Sequence, residues 1–306
     1  MANRVERSEL AVPASNWEMS RKAVESEADV VFLDLEDSVA PSEKVPSRQN
    51  VIRAVRELDW GTKPTLFRMN ALDTPFFYRD VIEIAEEVGD KLDLIMVPKV
   101  NRPEDVYVVD TLLTQIEANK GFARRIGLEV QIETAEGLIN CDQIAKASPR
   151  IETIIYGPGD YTASVRIPSV SIGSLDEWDA AYGSHRFHYV MHRILVAGRA
   201  AGLRVMDGPF ADFRDLDGYR ASCLRARAMG FDGKWCIHPS QIPIANEVFA
   251  PTEAEVVWAR RVIEAYEVAN REGRGAVAVD NKMIDAASIK MAEVTLAQAR
   301  VSGMLD

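Results

Sequence analysis

The sequence predicts an α/β protein, a (β/α)8 TIM barrel with a C-terminal helical extension. Three observations predict it. Short apolar runs recur eight times along the chain. Each ends in polar residues and is followed by a helix-like stretch. Most have apolar centres without strict alternation, as strands buried on both faces of a parallel sheet do. Strand then helix, eight times, is the pattern of this barrel. A doubly wound open sheet is the competing arrangement. No Gly-rich turn follows the first strand, which counts against its dinucleotide-binding form.

The strands are read in order. The first is SELAVP at 8–13, and the second is ADVVFLDLED at 28–37. Behind the second, residues 42–57 place Val51, Ile52 and Val55 on one helical face. TLFRMN at 65–70 and LDLIMVPKV at 92–100 follow, then an amphipathic helix over 104–119. IGLEVQIET at 126–134 and IETIIYGPGDY at 151–161 are the fifth and sixth strands, with a helix at 186–201 before the next. LRVMDGPF at 203–210 and GKWCIHP at 233–239 complete the eight. The barrel is therefore expected to occupy residues 1–250.

Residues 251–306 are too few for an independent core. Thr252 and Glu255 after Pro251 make a capping box that opens a helix to about Ala269. REGRGAVAVDNKM reads as a loop or hairpin, and a last helix starts near Asp285. This extension is expected to pack on the barrel or on a neighbouring subunit.

Composition narrows the function. The chain has 306 residues, 36 Lys+Arg against 47 Asp+Glu, and a formal charge of −11. That balance argues against a nucleic-acid or anionic-membrane surface. It leaves room for an anionic ligand in a local basic cleft. Cys141, Cys223 and Cys236 are too widely spaced for a zinc motif, and an odd count is a poor disulfide framework. They read as reduced thiols, so a cytoplasmic location is expected. The opening MANRVERSEL has no signal-like apolar region, and no 18-residue charge-free apolar run occurs.

Active sites of such barrels lie at the C-terminal ends of the strands. Those ends carry Asp34, Glu36, Asp37, Arg68, Asn70, Lys99, Glu133, Asp160, Asp207 and His238. Glu133 and Asp160 follow neighbouring strands, and two carboxylates with waters suit Mg²⁺. The alternative is that they cap helices or pair with Arg68 or Lys99. Arg68 forks onto a substrate oxygen or pairs with the Asp34/Glu36/Asp37 cluster, the pairing being the default reading. Alternation puts Asp34 and Glu36 on one side of the strand, so at least one should meet a cation, with Lys99 the other candidate partner. The turn from Gly157 to Asp160 either presents backbone N–H groups, Gly159 among them, to an anion or is simply a tight turn. His185, His188 and His192 read as rim histidines, because no Glu or Cys completes a metal set. Asp285 reads first as a helix N-cap.

These residues resemble a known family. ELAVPASN (9–16), VFLDLEDSVAPSEK (31–44), FRMNALDTPFFYRD (67–80), IMVPKV (95–100), EVQIETAEGL (129–138), YGPGDYTAS (156–164), MDGPF (206–210), GKWCIHPSQI (233–242) and IDAASIKMAE (284–293) run in order along nearly the whole chain. They look like the CoA-ester aldolases of the malyl-CoA lyase and citrate lyase β-subunit family. The resemblance implies a Mg²⁺ cofactor, with Mn²⁺ as a substitute, and acyl-CoA and 2-oxo acid substrates. It also implies a homotrimer or dimer of trimers. Glu133 and Asp160 match the metal carboxylates, and Arg68 the arginine at the 2-oxo acid and enolate. Asp285 matches an acid/base supplied from a neighbouring subunit. Glu36 and Asp37, with Asp34, match the acidic motif that supports the site, and Lys99 the lysine of the PKV motif. Pro13, Lys44, Trp235, Ile237, His238 and Pro239 fall in the parts that handle CoA.

The implied reaction is reversible cleavage of malyl-CoA, and of β-methylmalyl-CoA, to acetyl-CoA or propionyl-CoA and glyoxylate. Citramalyl-CoA cleavage to pyruvate and a malyl-CoA thioesterase are the alternatives. Residues 167–193 lack an aromatic insert that some members carry, so the preferred ester stays open. These esters differ by single methyl groups, worth only ~1–3 kcal/mol in an apolar pocket.

Overall fold

The apolar runs become strands because each carries enough β-branched and large apolar residues to be covered on both faces. The computed structural model describes residues 4–305. Its eight parallel strands are β1 Ser8–Pro13, β2 Val30–Asp34, β3 Thr65–Arg68, β4 Leu94–Val97, β5 Gly127–Ile132, β6 Ile151–Tyr156, β7 Arg204–Asp207 and β8 Gly233–Cys236. They close in sequence order, with β8 paired to β1. Closure leaves no exposed strand edge. This is the (β/α)8 barrel expected from the sequence.

The centre is packed, as in other barrels of this class. Val30, Phe32, Leu66, Leu94, Met96, Ile155, Met206 and Trp235 form one buried cluster. Around it, the helix Lys44–Glu57 buries Val51, Ile52 and Val55, the face its spacing predicts. Pro103–Lys120 and His188–Ala200 likewise turn apolar faces inward. Thr134 caps the helix Ala135–Ile144 through Gly137 N–H, which fixes where the chain turns after β5.

The strands stop earlier than the sequence suggests. β2 ends at Asp34, so Glu36 and Asp37 lie in the following loop. β6 ends at Tyr156 because Pro158 fixes φ for a helix and opens Pro158–Ser164. Asp160 therefore sits in a helical first turn rather than on a strand. A second short helix, Glu177–Tyr182, with an Asp176 cap, lies in the stretch before His188.

Residues Glu6–Asn246 make up one compact unit, and the chain from Glu247 onward makes up a second with residues 4–5. In the second unit, the helix Glu253–Arg271 opens on the Thr252/Glu255 capping box. Val277–Val279 and Lys282–Ile284 pair antiparallel as a hairpin. Asp280 and Asn281 at its tip both have positive φ, which a two-residue hairpin turn requires and Asp and Asn tolerate. The helix Ala286–Val301 follows, and Ala259, Val262, Ile284 and Ala292 form the unit's core. Among the described residues no helix is long and apolar enough to cross a membrane. All three cysteines are free and buried.

Candidate active site

The parallel register assembles the site. Asp34 is the last residue of β2 and stands opposite Arg68, the last of β3. The guanidinium grips the carboxylate with two bonds, Nε to Oδ1 and Nη2 to Oδ2, both 2.7 Å. Its remaining nitrogen, Nη1, lies 3.1 Å from Glu36 Oε2 and 3.5 Å from Gln131 Oε1. Beneath it lie the rings of Trp235 and Phe32, 5.4 and 5.6 Å from the guanidinium carbon. Arg68 is thus buried but neutralised on one side and floored by aromatic faces.

Asp34 is saturated. Besides Arg68 it accepts bonds from the N–H groups of Glu36 and Ser38 and from Ser38 Oγ. Burial works against its charge, but the Arg68 charge and these bonds hold its carboxyl down to about 2. It is a fixed anion that orients Arg68, and it has no proton to trade near neutral pH.

Glu133, one residue beyond β5, is 2% exposed. Its Oε1 accepts the Lys99 backbone N–H at 2.8 Å and its Oε2 accepts Gln131 Nε2 at 2.8 Å. Lys99 adopts φ 50°, a left-handed conformation that costs a non-glycine residue about 1 kcal/mol or more. Burial first, then the Glu36 and Asp160 charges, push the Glu133 carboxyl up to about 8. Two neutral donors leave a free lone pair on each oxygen.

Lys99 ties the acids together. Its Nζ bonds the Glu36 carboxylate, lies 3.2 Å from Asp37 Oδ1 and stands 3.6 Å from Asp160 Oδ1. Burial disfavours its charge, but Glu36 and Glu133 raise it well above the usual lysine range. Lys44 turns inward, its three donors spent on Leu35 O, Glu36 O and Asn70 Oδ1. It holds the loop after β2 in place. Asn70 in turn donates to Asp80, which pairs with the buried Arg48.

The mouth therefore gathers Asp34, Glu36, Asp37, Glu133 and Asp160 around Arg68, Lys99 and Lys44. Two formal negative charges remain uncompensated. Glu133 and Asp160 are hard oxygen donors, and a divalent cation beside them would favour the ionised Glu133 that burial and the Glu36 and Asp160 charges disfavour. Among the described residues no three His, Cys, Asp or Glu side chains converge as a ready-made metal cage. The donor set fits Mg²⁺, which binds through one or two carboxylates and keeps several waters.

Other expected residues are placed differently. Asp207 is taken up by a buried pair with Lys234, 2.5 Å apart. Trp235 is 3% exposed and lies beneath Arg68, so within this segment the exposed surface is that of Ile237, His238 and Pro239. Ile237, His238 and Pro239 after β8 are exposed, with His238 stacked on Phe213 at 4.9 Å. Pro13 ends β1, paired with Asp34. Gly159 lies in the first turn of Pro158–Ser164 beside Asp160. His188 and His192 are exposed neighbours on one helix, 5.4 Å between rings, and His185 is half-buried with Nδ1 unbonded. Asp285, in the second unit, caps its helix through Oδ1, which accepts Ala287 and Ser288 N–H. These bonds hold its carboxyl below the usual range. Gln131 was missed by the sequence reading. Its one signal was period-two spacing from Glu133, which puts both on the inner face.

Residues 7–239 match the HpcH/HpaI aldolase/citrate lyase family. The chain is 44% identical over 305 residues to the L-malyl-CoA/beta-methylmalyl-CoA lyase of Rhodobacter capsulatus, covering 98% of this chain and 96% of that one. It is 36% identical over 293 residues to the (3S)-malyl-CoA thioesterase of Cereibacter sphaeroides, covering 96% and 94%. Its fold is similar to the crystal structure of CitE from Mycobacterium tuberculosis in complex with magnesium, acetoacetate and coenzyme A. That match has a TM-score of 0.77 and 30% identity, over 97% of this chain and 99% of the other.

Proposed function

The chain belongs to the HpcH/HpaI aldolase/citrate lyase family, and from that premise we propose a magnesium-dependent lyase that reversibly cleaves malyl-CoA to acetyl-CoA and glyoxylate. β-Methylmalyl-CoA, giving propionyl-CoA, is proposed as a second substrate. One observation carries the reading. A buried, neutralised guanidinium and a buried carboxylate with spare lone pairs are joined through Gln131 at one mouth.

Glu133 and Asp160 would hold Mg²⁺. When bound, the metal acts as a Lewis acid on the 2-oxo acid's oxygens, an effect of several kcal/mol. Arg68 faces the reacting thioester with Nη1, its other edge being locked to Asp34. It stabilises the oxygen on which enolate charge develops. In cleavage the carbinol O–H gives its proton to solvent, the C–O bond becomes the glyoxylate carbonyl, and the adjacent C–C bond breaks. The bonding pair passes to the thioester enolate, whose carbon takes up a proton to become the acetyl methyl group. Condensation is the reverse. Asp285 of a neighbouring copy is the proposed proton carrier at that carbon, and residues 251–306 the extension that delivers it within a homotrimer or dimer of trimers. Glu36 and Asp37 hold Lys99 beside the metal carboxylates. The exposed Ile237, His238 and Pro239 are proposed to meet CoA.

A thioesterase is the second reading, favoured by the 36% identity to an enzyme of that name. The test is product identity. Malyl-, β-methylmalyl- and citramalyl-CoA are incubated with protein and Mg²⁺, and glyoxylate, pyruvate and free thiol are measured separately. Glyoxylate without thiol supports the lyase. Thiol without glyoxylate supports the thioesterase, and pyruvate from citramalyl-CoA adds that ester to the substrates.

A further inference from the structure

We propose that Gln131 is a positioning residue of this mouth, whose side-chain amide sets together the Glu133 carboxylate and the Nη1 edge of Arg68, which also meets Glu36. The inference rests on the reading of Glu133 as a metal ligand. Gln131 lies on β5 two residues before Glu133, so both side chains turn into the barrel. It is almost fully buried. Its Nε2 donates to Glu133 Oε2 at 2.8 Å, and its Oε1 faces Arg68 Nη1 at 3.5 Å.

The amide's orientation is dictated by its neighbours. Turned over, it would set an oxygen against a carboxylate and an NH₂ against a guanidinium. Only a group with a donor at one end and an acceptor at the other satisfies both partners. Glu133 Oε1 is already fixed by the Lys99 backbone N–H, so Gln131 completes the control of both oxygens.

Gly157 supplies the room. A Cβ there would lie 2.4 Å from Glu133 Oε2 and 2.9 Å from Gln131 Nε2, so this hydrogen bond fills the space of the missing side chain. The backbone at Gly157 has φ −99°, open to any residue, so its need is for volume rather than conformational freedom. Outer partners of metal carboxylates commonly change metal affinity 10–100-fold when removed.

The experiment is a calorimetric Mg²⁺ titration of the full chain as wild type, Gln131→Met and Gln131→Asn, with steady-state condensation kinetics alongside. Met keeps the volume without the bonds, and Asn keeps the amide but withdraws it by one methylene. The expected result is a Mg²⁺ dissociation constant raised about ten-fold or more. KM for glyoxylate rises while KM for acetyl-CoA and the melting temperature in EDTA stay near wild type. If Gln131→Met does not fold, Gln131→Asn carries the same expectation. Unchanged Mg²⁺ affinity and glyoxylate KM in a folded variant overturn the proposal. Glu133→Gln separates the two readings. Lost Mg²⁺ binding there, with none lost at Gln131, removes only the positioning role. Retained binding in Glu133→Gln removes the metal reading and this proposal with it.

Discussion

Arg68 and Asp34 meet end-on across adjacent strands, two parallel hydrogen bonds of 2.7 Å joining guanidinium to carboxylate. Both are buried, so the pair is a fixed dipole in the barrel mouth rather than a mobile surface contact. Removing one partner leaves the other as an uncompensated buried charge, at a cost of about 3–5 kcal/mol. Asp34→Asn should therefore lower the melting temperature markedly and cut lyase kcat/KM by about a hundred-fold or more. Thermal denaturation and steady-state kinetics check both. The pair also sets an acid limit. The Asp34 carboxyl is held down to about 2, below its unfolded value, so its contribution is present above about pH 4 and lost as pH falls through about 2.

Glu133→Gln keeps the volume but replaces a charged oxygen donor by a neutral amide. Mg²⁺ binding should be lost at millimolar metal, as read by calorimetry. The melting temperature without metal should rise or hold, because burial and the Glu36 and Asp160 charges already disfavour the ionised form. Wild-type Mg²⁺ affinity would refute the assignment.

At the N-terminal ends of the strands, Glu9 on β1 and Glu129 on β5 are buried together near Glu6, Arg204 and Thr153. Burial first, then the Glu6 charge, push Glu9 up to about 8, and burial with the Glu9 charge raises Glu129 further. Two facing carboxyls this buried are tolerable only while protons are held between them. Their folded values exceed the unfolded ones, so the stability they give is present at low pH and lost as pH rises through about 8. Glu129→Gln should melt higher than wild type at pH 9, with a smaller gain at pH 6. An equal difference at both would contradict the shared proton.

Mixing variants tests whether Asp285 acts across copies. Arg68→Lys and Asp285→Asn should each be poorly active alone. Co-refolded in equal amounts, they should regain about a quarter of wild-type sites if each site takes Arg68 from one copy and Asp285 from the next. No recovery would place both residues in one chain's site, or remove Asp285 from it.

The barrel was legible because eight apolar runs with polar ends leave few other ways to bury them. Strand ends were overread. LDLED keeps an apolar–acid pattern past Asp34 although the chain has already entered a loop, and Gly-Pro-Gly-Asp reads as a strand end although Pro158 starts a helix. The pairing of Arg68 and Lys99 with the Asp34/Glu36/Asp37 cluster was legible, but not which cation takes which acid. That Arg68 belongs to Asp34, and Lys99 to Glu36, Asp37 and Asp160, follows from strand register and one left-handed residue, which spacing does not encode. Trp235 sits in a motif, yet it lies within β8 in the buried cluster inside the barrel, whereas Ile237 and His238 follow the strand's end and are exposed. Gln131 looked like a strand interior position, and only its partners give it meaning.

The most direct measurement is the stoichiometry of malyl-CoA consumption with Mg²⁺ and with EDTA. One glyoxylate and one acetyl-CoA per malyl-CoA are expected, with no free thiol and no turnover in EDTA. Thiol released in step with consumption, or turnover that persists in EDTA, would contradict it.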